Sequence, residues 1–109
     1  MPPSPSPPPF ELHETAGDGH AVLAISGELD LGTTAVLRDR LDALRAAGTA
    51  VRIDVDGLTF VDSTGIRILL GGAREAAAAG QDFSISRGSA ALNRLVAVLG
   101  MEPLLPFSP

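Results

Sequence analysis

The stretch Asp62-Ser63-Thr64-Gly65 holds the residues best placed to do chemistry in this chain of 109 residues. It follows the hydrophobic Leu58-Thr59-Phe60-Val61 and precedes an apolar helical stripe beginning at Ile66. A short hydroxyl residue at a strand-to-helix junction serves as an N-cap, and Ser63 or Thr64 fits that role. The same geometry suits an anion. The first N–H groups of a helix lack intrahelical partners, and the positive end of its dipole favours negative charge. A phosphate carried on one of these hydroxyls would be held there, while Gly65 keeps the first turn free of side-chain bulk. Residue types alone leave capping and phosphate holding both open. Between the two hydroxyls, that of an N-cap Ser63 would project across the free N–H groups, whereas Thr64 has already entered the helix.

A second stretch, Gly27-Glu28-Leu29-Asp30, lies after a strand and before the first helix, so its acidic residues belong at the same sheet edge as Ser63. Asp30 is also placed to cap that helix. Catalytic alternatives are thin. His13 and His20 fall on the first strand and the turn after it, and read as solvated side chains. A serine hydrolase needs its nucleophile on a G-x-S-x-G elbow, and Ser63 has no glycine two residues before it. Asp54 and Asp56 share one side of a strand end and read as solvated charges leading into a loop.

The elements that must position these residues follow from periodicity. Phe10–Thr15 alternates weakly, a Gly17-Asp18-Gly19 turn follows, and Ala21–Ile25 is a short apolar run typical of a central strand. Residues 33–47 place Leu37, Leu41 and Leu44 on one helical stripe, with Arg38 and Asp42 spaced as an i,i+4 pair opposite. Val51–Val55 alternates cleanly. A second helix runs over 63–79 with Ile66, Leu69, Leu70, Ala73 and Ala77 inward. Its interior Gly71-Gly72 costs helix propensity, which close packing would compensate. Gln81–Ser86 alternates again, and Ser89 caps a third helix with Leu92, Leu95, Val96 and Leu99 as its stripe. Gly48, Gly80 and Gly100 stop the three helices.

The order β-β-α-β-α-β-α predicts an α/β domain with a mixed, mostly parallel sheet of about four strands. Right-handed crossovers stepping one way across a sheet place their helices mainly on one face, and the alternating later strands agree with an open opposite face. A doubly wound, flavodoxin-like sheet is the competing topology. Residues 1–9, with six of the nine prolines, predict a disordered Pro-rich leader, and 10–109 the folded domain.

Composition narrows the function. Cysteine is absent, which removes thiol nucleophiles, disulfides and Cys-ligated metals. All eight basic residues are Arg, so neither a Walker A loop nor Schiff-base chemistry is available. A net charge of −5 and four aromatics that are all Phe argue against direct nucleic-acid binding. No run of about 18 apolar residues, as a membrane span requires, occurs. A cytoplasmic single-domain protein without cofactor or metal is expected.

With these residues in place, the chain resembles the STAS-domain family, specifically the bacterial anti-sigma factor antagonists. The resemblance is carried by Ile25-Ser26-Gly27-Glu28-Leu29-Asp30, Val51–Val55, Phe60-Val61-Asp62-Ser63-Thr64-Gly65-Ile66 with Leu69 and Leu70, and the closing Leu95–Gly100 with Leu104, Leu105 and Phe107. It implies a STAS fold and a non-enzymatic binding module. In that family the serine matching Ser63 is phosphorylated by an anti-sigma factor serine kinase that uses ATP. The unphosphorylated form binds that kinase and frees a sigma factor, and a metal-dependent phosphatase of the PP2C type resets the switch. The acid matching Asp30 lies near the phosphoacceptor, with Asp62, Thr64 and Gly65 adjoining it. An alternative is a STAS interaction module serving another assembly, a stress-signalling complex or a transporter-associated subunit. An aspartyl-phosphate receiver, another small acidic α/β domain, resembles this chain less, because receivers depend on a Lys after a late strand.

Overall fold

The structure, a computed structural model, describes residues 10–17 and 19–108; the expected leader and Asp18 of the expected turn lie outside them. Strands β1 (Phe10–Ala16), β2 (His20–Leu29), β3 (Ala50–Val61) and β4 (Phe83–Ile85) form one sheet in the order β1-β2-β3-β4. β1 runs antiparallel to β2, closed by the Gly17 N–H donating to the His20 carbonyl at 2.8 Å, and the remaining pairs are parallel. Helices α1 (Thr34–Ala46) and α2 (Ser63–Ala78) make the crossovers, and α3 (Ala90–Leu99) follows β4. This is the mixed, mostly parallel α/β sheet that the sequence order predicts.

One sheet face is the core. Ala21, Leu23 and Ile25 of β2, Val51, Ile53 and Val55 of β3, and Ile85 of β4 are buried and share a face through the pairs Ala21↔Val51, Leu23↔Ile53 and Ile53↔Ile85. Leu37, Leu41 and Leu44 of α1, Ile66 and Leu69 of α2, and Leu92 and Val96 of α3 close over it. On the opposite face Val22, Ala24, Arg52, Asp54 and Ser84 all keep solvent contact, as expected for helices confined mainly to one side. Arg40 of α1 grips Glu14 of β1 with two hydrogen bonds, Nη2 lying 2.7 Å from Oε2, and so ties the antiparallel edge strand to the helix layer.

Several local expectations change. β3 does not stop at Val55: it runs through Asp56 and Gly57 to Val61, so Asp56 lies within a strand and not on the way into a loop. Irregularities between Ala24 and Ser26 and between Gly27 and Glu28 shift the pairing, and buried positions move from Val55 to Leu58 and Val61. A β-bulge of this kind resets the two-residue period. Phe60 is thereby turned outward, 47% exposed. In α2 the inward residue of the last turns is Ala76, whereas Ala77 is exposed and Ala73 half-buried. Leu99, on the final turn of α3, is also exposed. Asp42 pairs with Arg45 at 3.3 Å and not with Arg38, because Arg45 is held between Asp42 and Glu75 of α2. Gly72 answers to packing, since a methyl group there would meet Leu41 at 3.1 Å and the Phe83 ring at 3.3 Å; Gly71 faces open space.

Candidate functional site

The two informative stretches meet at the carboxyl ends of β2 and β3. Leu29 pairs with Val61, so Asp30 and Asp62 leave the sheet side by side. The Asp62 N–H donates to the Leu29 carbonyl at 3.2 Å, which locks the start of α2 against the end of β2.

Asp62, not Ser63, is the N-cap of α2. Its backbone is extended (φ −106°, ψ −174°), and its carboxylate accepts the Gly65 N–H at 2.9 Å. The Thr64 hydroxyl donates to the same oxygen. That bond holds the Asp62 carboxyl below the usual carboxylate range; partial burial opposes it, and the N–H groups of Gly65, Leu31 and Thr64 reinforce it. The expectation of a Ser63 cap fails because β3 extends to Val61, leaving Asp62 as the first residue outside the strand. Aspartate caps as well as serine does, so residue type could not decide between them.

Ser63 is the first residue of α2 and is exposed. Its hydroxyl makes no hydrogen bond among the described residues, while the neighbouring Thr64 hydroxyl is committed to Asp62. Gly65 is required by a close approach. A methyl group there would lie 2.7 Å from both the Leu29 carbonyl oxygen and Val61 Cγ2.

Asp30 shapes the loop that faces this helix start. Its Oδ1 accepts the Gly32 N–H at 2.9 Å, and its carbonyl accepts the N–H groups of Thr33 and Thr34, each at 3.0 Å. The Asp30 carboxylate therefore braces the turn and does not cap α1, whose N-cap position is Thr33; only the Asp30 carbonyl reaches the helix, through the Thr34 N–H. Thr33 is the residue that sequence reasoning missed. Its hydroxyl donates to the Glu28 carbonyl at 2.8 Å and accepts the Asp30 N–H at 3.0 Å, so it makes no cap bond to α1. A threonine just before a helical stripe is the usual signal of an N-cap, which here misleads. Leu31, 77% exposed, places apolar surface on the loop before α1, and Phe60 places more on the strand leading to Ser63.

The other candidates stay apart. His13 is exposed on β1, and His20 begins β2 at the opposite end from Leu29. Asp56 accepts the Ser86 hydroxyl at 2.8 Å, and Ser86 in turn accepts the Val55 N–H at 2.9 Å, a bridge between β3 and the end of β4. Among the described residues no three His, Asp or Glu side chains gather as a metal site, and no helix is long and apolar enough to cross a membrane.

Residues 12–106 match the family described as "Mlab, STAS domain", a span that takes in most of β1, the other three strands, all three helices and the Ser63 edge. The chain belongs to the STAS-domain family. It is 29% identical over 84 residues to the anti-sigma-B factor antagonist of Bacillus subtilis (strain 168), covering 77% of each protein. The crystal structure of an anti-sigma factor antagonist from Mycobacterium paratuberculosis superposes with a TM-score of 0.81 at 25% identity, covering 95% of this chain and 90% of the other. The fold is also that of the Bacillus protein SpoIIAA in its phosphorylated form, with a TM-score of 0.69 at 22% identity over 92% of this chain and 91% of that one. This STAS domain therefore shares its architecture with anti-sigma factor antagonists over nearly its full described length.

Proposed function

We propose that this STAS domain is an anti-sigma factor antagonist that binds an anti-sigma factor serine kinase, releases a sigma factor, and is switched off by phosphorylation of Ser63. The observation that carries the assignment is the exposed Ser63 hydroxyl, uncommitted beside a Thr64 hydroxyl that is bonded to Asp62. A kinase must align the acceptor oxygen with the γ-phosphoryl group, and a hydroxyl that first has to leave a charged hydrogen bond is a poorer acceptor. In the transfer the Ser63 Oγ–H proton is lost, the Oγ–P bond forms and ADP departs. Hydrolysis by a PP2C-type phosphatase returns the hydroxyl and inorganic phosphate. The apolar Leu31 and Phe60 beside Ser63 supply surface for a partner, and Asp30, Asp62 and Gly65 set the shape of the edge it meets.

The test is co-expression with serine kinases from the same genome, followed by intact-mass and peptide mapping. One phosphate on Ser63, abolished in Ser63→Ala, is the expected result. Phosphate mainly on Thr64, or a Ser63→Ala protein modified at the normal rate, overturns the assignment.

A further inference from the structure

We propose that Arg67 of α2 is the cationic partner of a phosphate on Ser63, with Arg38 of α1 as a second contact across the adjoining groove. The proposal rests on Ser63 being the phosphoacceptor. Ser63 and Arg67 are four residues apart on one helix, a spacing that puts their Cβ atoms about 5–6 Å apart on the same face. Helical side chains lean toward the N-terminus, so Arg67 reaches back over the turn that Ser63 opens.

Arg67 is exposed and has no hydrogen bond or ion pair among the described residues. Arg38 is in the same condition, because Asp42, its expected partner, is held by Arg45. Both line the groove between α1 and α2, together with Ile68 and Gly71. Arg40, Arg45 and Arg87 are matched to carboxylates, whereas Arg52, Arg74 and Arg94, like Arg38 and Arg67, carry no ion pair among the described residues. The groove also holds Asp42 and Glu75, both paired with Arg45, so Arg38 and Arg67 are its two uncommitted charges. A guanidinium offers a planar fork of donors suited to phosphate oxygens. Asp62 and Asp30, at the sheet edge on the other side of Ser63, repel the phosphate and favour its turning toward Arg67. Phosphorylation then neutralises the exposed arginines as well as adding charge, and the partner meets a changed surface over the whole first turn of α2.

The experiment installs phosphoserine at position 63 by genetic encoding, which needs no kinase, and follows the phosphate by phosphorus NMR as pH is varied. The second phosphate ionisation should fall at lower pH in the otherwise unchanged protein than in Arg67→Gln, by about 0.2–0.4 of a unit. Arg67→Lys should keep part of that shift, and Arg38→Gln should lose a smaller part than Arg67→Gln. The difference should shrink at about 1 M salt, where the Debye length is about 3 Å. Coincident curves for the arginine and glutamine forms at low salt, or a shift lost only in Arg38→Gln, overturn the proposal. Failure of the kinase reading shows separately, as an absence of phosphate on Ser63 in the co-expression experiment, and leaves this titration readable.

Discussion

At the residue scale, Asp62 does what the sequence suggests for Ser63. By capping α2 it frees the Ser63 hydroxyl, and by accepting from Thr64 it removes the competing acceptor. Asp62→Ala should cost about 0.5–2 kcal/mol at neutral pH, the usual range for a lost aspartate cap. The effect should depend on pH with a definite sign. Because the fold holds the Asp62 carboxyl below its ordinary value, with the Thr64 hydroxyl as the largest cause, its stabilisation is fully present above that ordinary value. It is lost as pH falls through the lowered folded value, so the gap between wild type and Asp62→Ala should narrow below about pH 4. Urea unfolding of both proteins at neutral and acid pH measures this. A gap of constant size would show that ionisation of Asp62 contributes nothing.

At the scale of the element, α2 is a helix whose glycines serve different ends. Helix propensity alone says that each glycine-to-alanine change stabilises by up to about 1 kcal/mol. Contacts reverse that for Gly65, whose added methyl would press on the Leu29 carbonyl and Val61, and overpacking of this kind costs about 1–3 kcal/mol. Gly71 has nothing within 4 Å of the added methyl, so propensity governs. Gly65→Ala should therefore melt lower than wild type and Gly71→Ala higher, in the same calorimetric series. Equal melting temperatures for the two variants would mean that the junction between β2 and α2 yields easily, and the rigidity ascribed to the Ser63 edge would be lost with it. The same junction explains why this edge presents one fixed shape: the Asp62 N–H, the Gly65 approach and the Thr33 hydroxyl all tie loop and helix starts to the backbone of residues 28–30.

At the scale of the whole molecule, the fold separates what the switch changes from what holds the domain together. Ser63 is exposed, whereas the core that Leu23, Ile53 and Leu69 anchor is buried. A phosphate adds a charge of about −1.5 to −2. Its gain at a helix start, about 0.3–1 kcal/mol and up to about 2 when partly buried, and its pairing with Arg67 are offset by Asp62 and Asp30. Stability should change by no more than about 1–2 kcal/mol, whereas a dianion brought into a desolvated interface can cost several. Ser63→Asp should fold normally and bind the anti-sigma partner about a hundredfold more weakly, which needs only about 2.7 kcal/mol. Thermal melting combined with titration against the partner kinase checks both halves. Unchanged affinity, or loss of the fold, would remove the basis for a binding switch at this edge.

The sequence by itself determined the order of strands and helices, the glycine stops and the Ser89 cap, whose side chain accepts the Leu92 N–H at 3.1 Å. These depend on neighbours within a few residues, which periodicity and residue type report directly. It also placed Asp30 and Ser63 at one sheet edge, because parallel strands joined by crossover helices must end on the same side. Only the tertiary structure decided that β3 continues through Asp56 and Gly57, that Phe60 turns outward, and that Asp62 takes the cap. It likewise decided that Phe107 returns to pair with Ile85, and that Arg45 takes Asp42 from Arg38. Each of these turns on a bulge, a register or a partner from a distant segment. A strand's phase past a bulge and a side chain's choice between two carboxylates are set by what lies across the fold, and local spacing carries no record of that.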